Sequence, residues 1–304
     1  MEGTSFGRVI SLGFFDGVHI GHQKLLRVCA ERAETLHCRP CVLTFDRHPA
    51  SVVSGKDVPL IGTRRQSEKW LREIGRADEV VFLPFSESVR DMHWRDFLRD
   101  VVIGRFGALH VVCGENFRFG KGGGGRAFDL SDECERSGVG CDIVKSVTLS
   151  GETVSSTRVR ASISEGDMEE VFRLLGRPYS IDGAVESGRK YGRTISAPTI
   201  NIPFPEGLCQ PKFGVYIAAV SVKSGERLPA VLNFGVRPTF RLGSSPMIEA
   251  HILGFSGELY GENVTVEFLS FVRPEEAFPS NDALASAIAR DISKAEEFFK
   301  ENGV

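Results

Sequence analysis

The stretch Gly13-Phe14-Phe15-Asp16-Gly17-Val18-His19-Ile20-Gly21-His22 decides how the N-terminal half of the chain is read. The run before it, Arg8-Val9-Ile10-Ser11-Leu12, has a strand pattern, and residues 23–34 after it have a helical one. Glycines, two histidines and an acid therefore fall at a strand-to-helix turn. In an open α/β sheet, ligands bind at such turns, outside the carboxyl ends of the strands. The backbone N–H groups that open the next helix favour an anion. His19 and His22, three residues apart, share a face of a first helical turn. Gly17 and Gly21 let the backbone approach a phosphate closely, and imidazoles can donate hydrogen bonds to its oxygens.

Outward from this turn, the first half of the chain alternates in period. Apolar, strand-like runs occur at residues 9–14, 41–45, 80–83, 109–113 and 141–147. Helix-like runs lie between them, near 23–34, 64–74, 94–106 and 127–137. Within 94–106, Phe97, Leu98, Val101, Val102 and Arg105 recur at the spacing of an amphipathic α-helix. Such alternation predicts a parallel sheet with right-handed crossovers, a doubly wound Rossmann-like domain. Three further stretches then fall at or near strand ends, on the rim that carries the opening turn. They are Thr44-Phe45-Asp46-Arg47-His48-Pro49, Gly114-Glu115-Asn116-Phe117-Arg118-Phe119-Gly120 and Ser155-Ser156-Thr157-Arg158-Val159-Arg160.

The second half changes character. After a helix over Met168–Leu175, Gly176-Arg177-Pro178 punctuates the chain. A boundary there divides it into residues 1–176 and 177–304. Strand-like runs follow at 179–185, 214–222, 230–236, 246–253 and 264–268, separated by turns. In the last, Val264, Val266 and Phe268 alternate with Thr265 and Glu267, the mark of a half-buried strand. Short antiparallel strands joined by glycine turns predict a small barrel. Leu284, Ile288, Ile292, Ala295 and Phe299 then repeat at helical spacing, with Ser280 or Asn281 as the cap.

At 304 residues the chain has room for two well-packed cores. Its net charge is −3, with no basic block, so bulk electrostatics offer no case for nucleic-acid binding. No run of 18 apolar residues suggests a membrane span, and the opening MEGTSFGR is unlike a signal peptide. The seven cysteines are scattered and odd in number. The lone pair Cys38 and Cys41 lacks a second ligand pair or a thioredoxin-like setting, so no redox or zinc role is expected. A reducing cytoplasm is the expected location, with neither nucleic acid nor membrane as a partner.

The opening turn resembles the HxGH signature of the nucleotidyltransferase superfamily, in the form found in prokaryotic bifunctional riboflavin kinase/FAD synthetases. Their FAD synthetase modules carry GxFDGxHxGH, TFxxHP, GxD/N-F-x-F-G and SSTxxR segments, and all four occur here in order. His19-Ile20-Gly21-His22 also spells the signature of class I aminoacyl-tRNA synthetases. The SSTxxR element, however, takes the place of their second signature. The second half resembles flavokinases. Gly188-Arg189-Lys190-Tyr191-Gly192-Arg193-Thr194 is similar to their glycine-rich phosphate loop, and Pro198-Thr199-Ile200-Asn201 to their PTxN element. Asn233 to Phe240 match NxGxRPTF, Glu249-Ala250-His251 match ExH, and Tyr260-Gly261 with Arg273-Pro274-Glu275 match the tail.

The resemblance implies an α/β Rossmann-like nucleotidyltransferase domain followed by a mostly antiparallel β-barrel domain with a C-terminal helix. It implies phosphorylation of riboflavin by ATP to give FMN, then adenylylation of FMN to FAD with release of pyrophosphate. In the first domain it gives Gly13, Phe15, His19, His22, Ser156, Thr157 and Arg160 to ATP, with His22 and Asn116 at the reacting groups. In the second it gives Gly188, Lys190, Gly192, Arg193 and Thr194 to the nucleotide, and Arg237 and Glu249 to the flavin. Thr199 and Asn201 offer hard oxygen ligands to Mg²⁺, which is expected in both steps. Glu249 can take the proton of the attacking hydroxyl. ATP is a co-substrate and no permanently bound cofactor is expected; riboflavin, FMN, FAD and ATP are the expected partners.

Two departures from the family pattern stand out. The loop Lys121-Gly122-Gly123-Gly124-Gly125-Arg126 is richer in glycine than usual, so its backbone is expected to be mobile and no role is assigned to it. Ser196 and Ala197 stand where flavokinases usually have glycine and phenylalanine. Two alternatives remain open at this point. One is a nucleotidyltransferase acting on another phosphorylated acceptor, such as phosphopantetheine or choline phosphate. The other is a flavin-binding sensor with an inactive kinase domain.

Overall fold

The computed structural model describes residues 7–186, 199–236 and 245–303. The chain forms two compact units, Met1–Ser156 and Thr157–Val304.

The first unit is built on a five-stranded sheet of β1 (Arg8–Leu12), β2 (Arg39–Phe45), β3 (Glu79–Leu83), β4 (Ala108–Gly114) and β5 (Gly140–Val144). Its order is β3-β2-β1-β4-β5 and every pairing is parallel. Parallel sheets are covered on both faces, so their strands are apolar at odd and even positions alike. Val9, Val42 and Val112 face α1 (Ile20–Leu36) and α2 (Arg64–Glu73), packing with Leu26, Cys29 and Leu71. Ile10, Leu12, Leu43, Val111 and Cys113 face the other way, onto Leu98, Val102 and Leu130 of α3 (Ala127–Arg136) and the helical segment before it. That segment departs from the expected α-helix. One α-turn, Trp94–Asp96, runs into a π-helix over Phe97–Arg105. Its wider bonding, with the Phe106 N–H reaching the Val101 carbonyl at 3.0 Å, still buries the pairs Phe97/Leu98 and Val101/Val102 on one stripe. Cys41 lies in β2 with its thiol pushed up to about 12 by burial, which leaves it inert.

The second unit opens with α4 (Ser156–Glu165) and α5 (Met168–Leu175), tied by an Arg158–Glu170 ion pair. Six strands follow: β6 (Tyr179–Ala184), β7 (Ile200–Pro203), β8 (Gly214–Ser221), β9 (Arg227–Val236), β10 (Pro246–Ile252) and β11 (Asn263–Arg273). They pair antiparallel in the order β6-β11-β8-β9-β10-β7. A bridge between Glu186 and Asn201 joins the two edges and brings the sheet close to a closed barrel. Gly183 permits that seam, because a Cβ there would stand 2.3 Å from an Ile202 methyl. The interior holds Ile181, Ile202, Tyr216, Leu232, Phe234, Ile248 and Phe268, all buried. Outside, α6 (Asn281–Asn302), capped by the Ser280 hydroxyl, lays Ala295 and Phe299 over Val215, Ile217 and Val231.

Candidate functional sites

In the first unit, β1 ends at Leu12 and a 3₁₀ turn over Asp16–Val18 delivers His19 as the N-cap of α1. Gly17 is at φ 75° and Val18 at φ 42°. Gly17 can carry no side chain: a Cβ would meet Ile61 at 2.8 Å. The buried Asp16 carboxylate accepts the Ile61 N–H at 2.8 Å, and the Asp16 carbonyl accepts from the Ser156 hydroxyl at 3.0 Å. Gln23 Nε2 donates to the Val18 carbonyl at 2.9 Å.

The two signature histidines are stacked, with ring centroids 3.6 Å apart and planes 15° from parallel. His19 Nδ1 accepts the His22 N–H at 3.2 Å, which places the His19 ring proton on Nε2. Phe15, in the core, meets the His22 ring in a T-shaped contact with centroids 5.2 Å apart. His22 Nδ1 is enclosed and has no hydrogen-bond partner among the described residues. Burial, and then the neighbouring His19, hold the His22 imidazole well below its ordinary pKa. His22 is therefore neutral at pH 7, with an enclosed polar atom that calls for a partner.

Around this turn the rim is braced. Asn116, exposed after β4, donates to the Ser146 hydroxyl at 3.2 Å, and the Glu115 carboxylate accepts the Ser146 N–H at 2.7 Å. Lys24 of α1 donates to the Lys145 carbonyl. His48 caps the short helix Pro49–Ser54 and packs on Phe14 at 4.7 Å. The glycine-rich loop forms a 3₁₀ turn over Lys121–Gly123, within a small hairpin that pairs Arg118 with Arg126. Thr157 lies in the first turn of α4 and Arg160 at the start of its second, in the second unit.

In the barrel, register assembles the second site. Asn201 of β7 pairs with Glu249 of β10, and Glu249 pairs with Asn233 of β9. Directly paired residues point to the same face, so the three side chains form a row across adjacent strands. Their neighbours Ile202, Ile248, Ala250 and Leu232 point into the core, so the row faces outward. Asn201 is buried and Glu249 is half-buried. Asn233 Nδ2 donates to Glu275 Oε1 at 3.1 Å. Thr199 lies just before β7. Gly188, Lys190, Gly192, Arg193, Thr194 and Arg237 lie outside the described residues, as do Ser196 and Ala197.

A FAD synthetase family model matches residues 3–158 and a riboflavin kinase family model matches residues 175–299. Most of the α4–α5 pair falls between them. A bifunctional riboflavin kinase/FMN adenylyltransferase from Haemophilus influenzae is 33% identical over 293 residues, covering 96% of this chain and 94% of its own. One from Listeria monocytogenes is 33% identical over 300 residues, covering 98% and 94%. The chain belongs to the bifunctional riboflavin kinase/FMN adenylyltransferase family. A solved structure described as a macrolide-efflux protein from Streptococcus pneumoniae is 29% identical, with a TM-score of 0.87, covering 97% of this chain and 95% of that one. Among the described residues no helix is long and apolar enough to cross a membrane. The family assignment gives the chain its two activities, riboflavin kinase and FMN adenylyltransferase. Of the readings left open by the sequence, the bifunctional one is the one these matches support.

Several residues of the two sites were not marked by sequence. Gln23 and Ser146 act through hydrogen bonds to backbone or to another side chain. Asn233 and Glu275 lie within family motifs, but only strand register brings them beside Glu249.

Proposed function

We propose that each activity belongs to one of these two sites, with the adenylyltransferase domain at residues 1–176 and the kinase domain at 177–304. At the signature turn, neutral His19 and His22 donate hydrogen bonds to ATP phosphate oxygens. An FMN phosphate oxygen attacks the α-phosphorus, the bond from that phosphorus to the bridging oxygen breaks, and pyrophosphate leaves. Positioning and stabilisation of developing charge carry most of such a transfer. The observation that supports this most is the enclosed, unpartnered Nδ1 of His22 beside the stacked His19. A phosphate oxygen would satisfy it with the proton on Nδ1. Asn116 positions the reacting groups and Ser156 joins the turn; Gly13, Phe15, Thr157 and Arg160 keep the roles the resemblance gives them.

On the barrel, the terminal ribityl hydroxyl of riboflavin attacks the γ-phosphorus of ATP, Glu249 accepts the hydroxyl proton and ADP leaves. The half-buried Glu249 lies between Asn201 and Asn233 in the row. Mg²⁺ fits the donors present. Asn201, nine-tenths buried in this row, and Thr199 supply uncharged oxygens, a set that suits a magnesium ion carried largely by substrate phosphates. When bound, the ion neutralises phosphate charge. A cytoplasmic location fits free thiols such as Cys29, Cys113 and Cys134.

The test is a time course of purified protein with riboflavin, ATP and Mg²⁺, resolving FMN from FAD. FMN should appear first and FAD follow. FMN supplied directly should yield FAD and pyrophosphate without riboflavin. Failure of that second reaction would overturn the adenylyl-transfer assignment, and absence of FMN from riboflavin would overturn the kinase assignment.

A further inference from the structure

Val18 occupies a backbone region that its side chain disfavours. Among the described residues, four other than glycine have positive φ: Val18, His37, Arg76 and Ser150. Val18 alone is β-branched, and it is wholly buried. Branching at Cβ crowds the carbonyl in the left-handed region. Such a conformation persists only where the surroundings over-determine it, and it gathers at functional sites.

Here the surroundings do so. The Val18 N–H reaches the Phe15 carbonyl at 3.3 Å. Ile61 fills the space over Gly17 and donates its N–H to buried Asp16. From the first turn of α1, Gln23 reaches back five residues and donates Nε2 to the Val18 carbonyl at 2.9 Å, while its own N–H bonds the His19 carbonyl at 2.9 Å. The Val18 carbonyl belongs to the peptide unit whose nitrogen is that of His19. Fixing this carbonyl fixes the plane from which the His19 side chain leaves. The ring direction then follows, since Nδ1 is held by the His22 N–H and the ring is stacked on His22.

We propose that Gln23 is a positioning residue for adenylyl transfer: its carboxamide holds the Val18–His19 peptide and thereby aims the His19 imidazole at the nucleotide phosphates. This rests on the reading of His19 and His22 as phosphate donors. Asp16 and Ile61 brace the turn from its other side. Gln23 touches no substrate in this scheme; it acts through the backbone. A role confined to anchoring the start of α1 would depend on no strain at Val18.

The experiment uses the full chain in single-turnover assays of FAD formation from FMN, with FMN formation from riboflavin measured on the same preparations. Gln23→Met keeps length and removes the donor; Gln23→Glu keeps shape and replaces the donor with an acceptor. Both should lower the FAD-forming rate by roughly 10- to 10²-fold, the scale of a misaimed group, with the KM for ATP changed less than the rate. FMN formation should stay at the parental level. Val18→Gly removes the steric conflict, so Gln23→Met should cost no more than a third as many fold in that background. His22→Ala is run alongside. If it leaves FAD formation intact, the phosphate-donor reading fails and this proposal with it. If it abolishes FAD formation while both Gln23 variants are unimpaired, the proposal alone is overturned. A loss that Val18→Gly does not soften, matched by a fall in melting temperature, would also overturn it and make Gln23 a helix anchor. Should Gln23→Met fail to fold, the Gln23→Glu variant with and without Val18→Gly decides.

Discussion

The two sites are built in opposite ways. The turn proposed for adenylyl transfer is local in sequence: ten consecutive residues bring both histidines together, and bonds from Gln23 and, farther along the chain, from Ile61 hold a backbone that Val18 resists. The kinase row is non-local. Asn201, Asn233 and Glu249 come from three strands, and only antiparallel register makes them neighbours. A local, strained site concentrates its geometry in a few bonds, so single changes near it should act on chemistry. A register-built site shares its geometry with a barrel core, so its placement should withstand side-chain changes on the outer face. What fails there should be the chemistry of the residue replaced.

The largest effect should come from His22→Ala. Loss of one donor to a transition-state phosphate is expected to slow FAD formation by about 10²- to 10³-fold, roughly 3–4 kcal/mol, with FMN formation preserved. Product-resolved kinetics check it, and wild-type FAD formation would remove the local site from the comparison. The converse change, Glu249→Gln, should lower the kinase kcat by about 10²-fold or more, with a smaller change in KM. Adenylyl transfer from added FMN should be untouched. An unchanged kcat with chemistry rate-limiting would reduce Glu249 to a cross-strand charge.

A pH experiment sharpens the local side. His22 is held neutral in the folded protein, below its ordinary pKa, by burial and then by His19. As pH falls through about 6.5, the unfolded chain takes up a proton that the folded chain refuses. Stability of the first unit is therefore full above that value and declines below it. Urea midpoints between pH 8 and 5.5 should show the decline, and His22→Gln should make it shallower, with His110, also held below its ordinary pKa by burial, keeping part of it. The smallest effect concerns the family departures at Ser196 and Ala197. Restoring glycine and phenylalanine there should lower the ATP KM of FMN formation by a few fold and leave adenylyl transfer alone. An equal or higher KM would show that this pair does not tune the site.

What could be read from sequence follows the same division. The parallel sheet was legible because each strand is a run apolar on both faces between helical runs, and the Met168–Leu175 helix matched its expected ends. The signature turn was legible because its residues are consecutive. β7 was missed: four residues with a polar Asn201 and a terminal Pro203 have no clear period. β11 runs to Arg273, well beyond the alternating stretch seen in sequence, because its later residues are only partly buried. The π-helix was invisible, since its buried pairs also fit an α-helical period. The stacking of His19 on His22 and the Asn233–Glu275 bond depend on N-cap geometry and strand register, neither of which periodicity reports.

The seam of the barrel is held by backbone atoms, not by side chains. Glu186 donates its backbone N–H to the Asn201 carbonyl at 2.8 Å, so the two ends of the intervening segment are stitched together at its base. Asn201 is thus a keystone as well as a proposed ligand of Mg²⁺. A change of the Asn201 side chain should therefore leave this backbone bond, and the register that places residue 201 beside Glu249, in place.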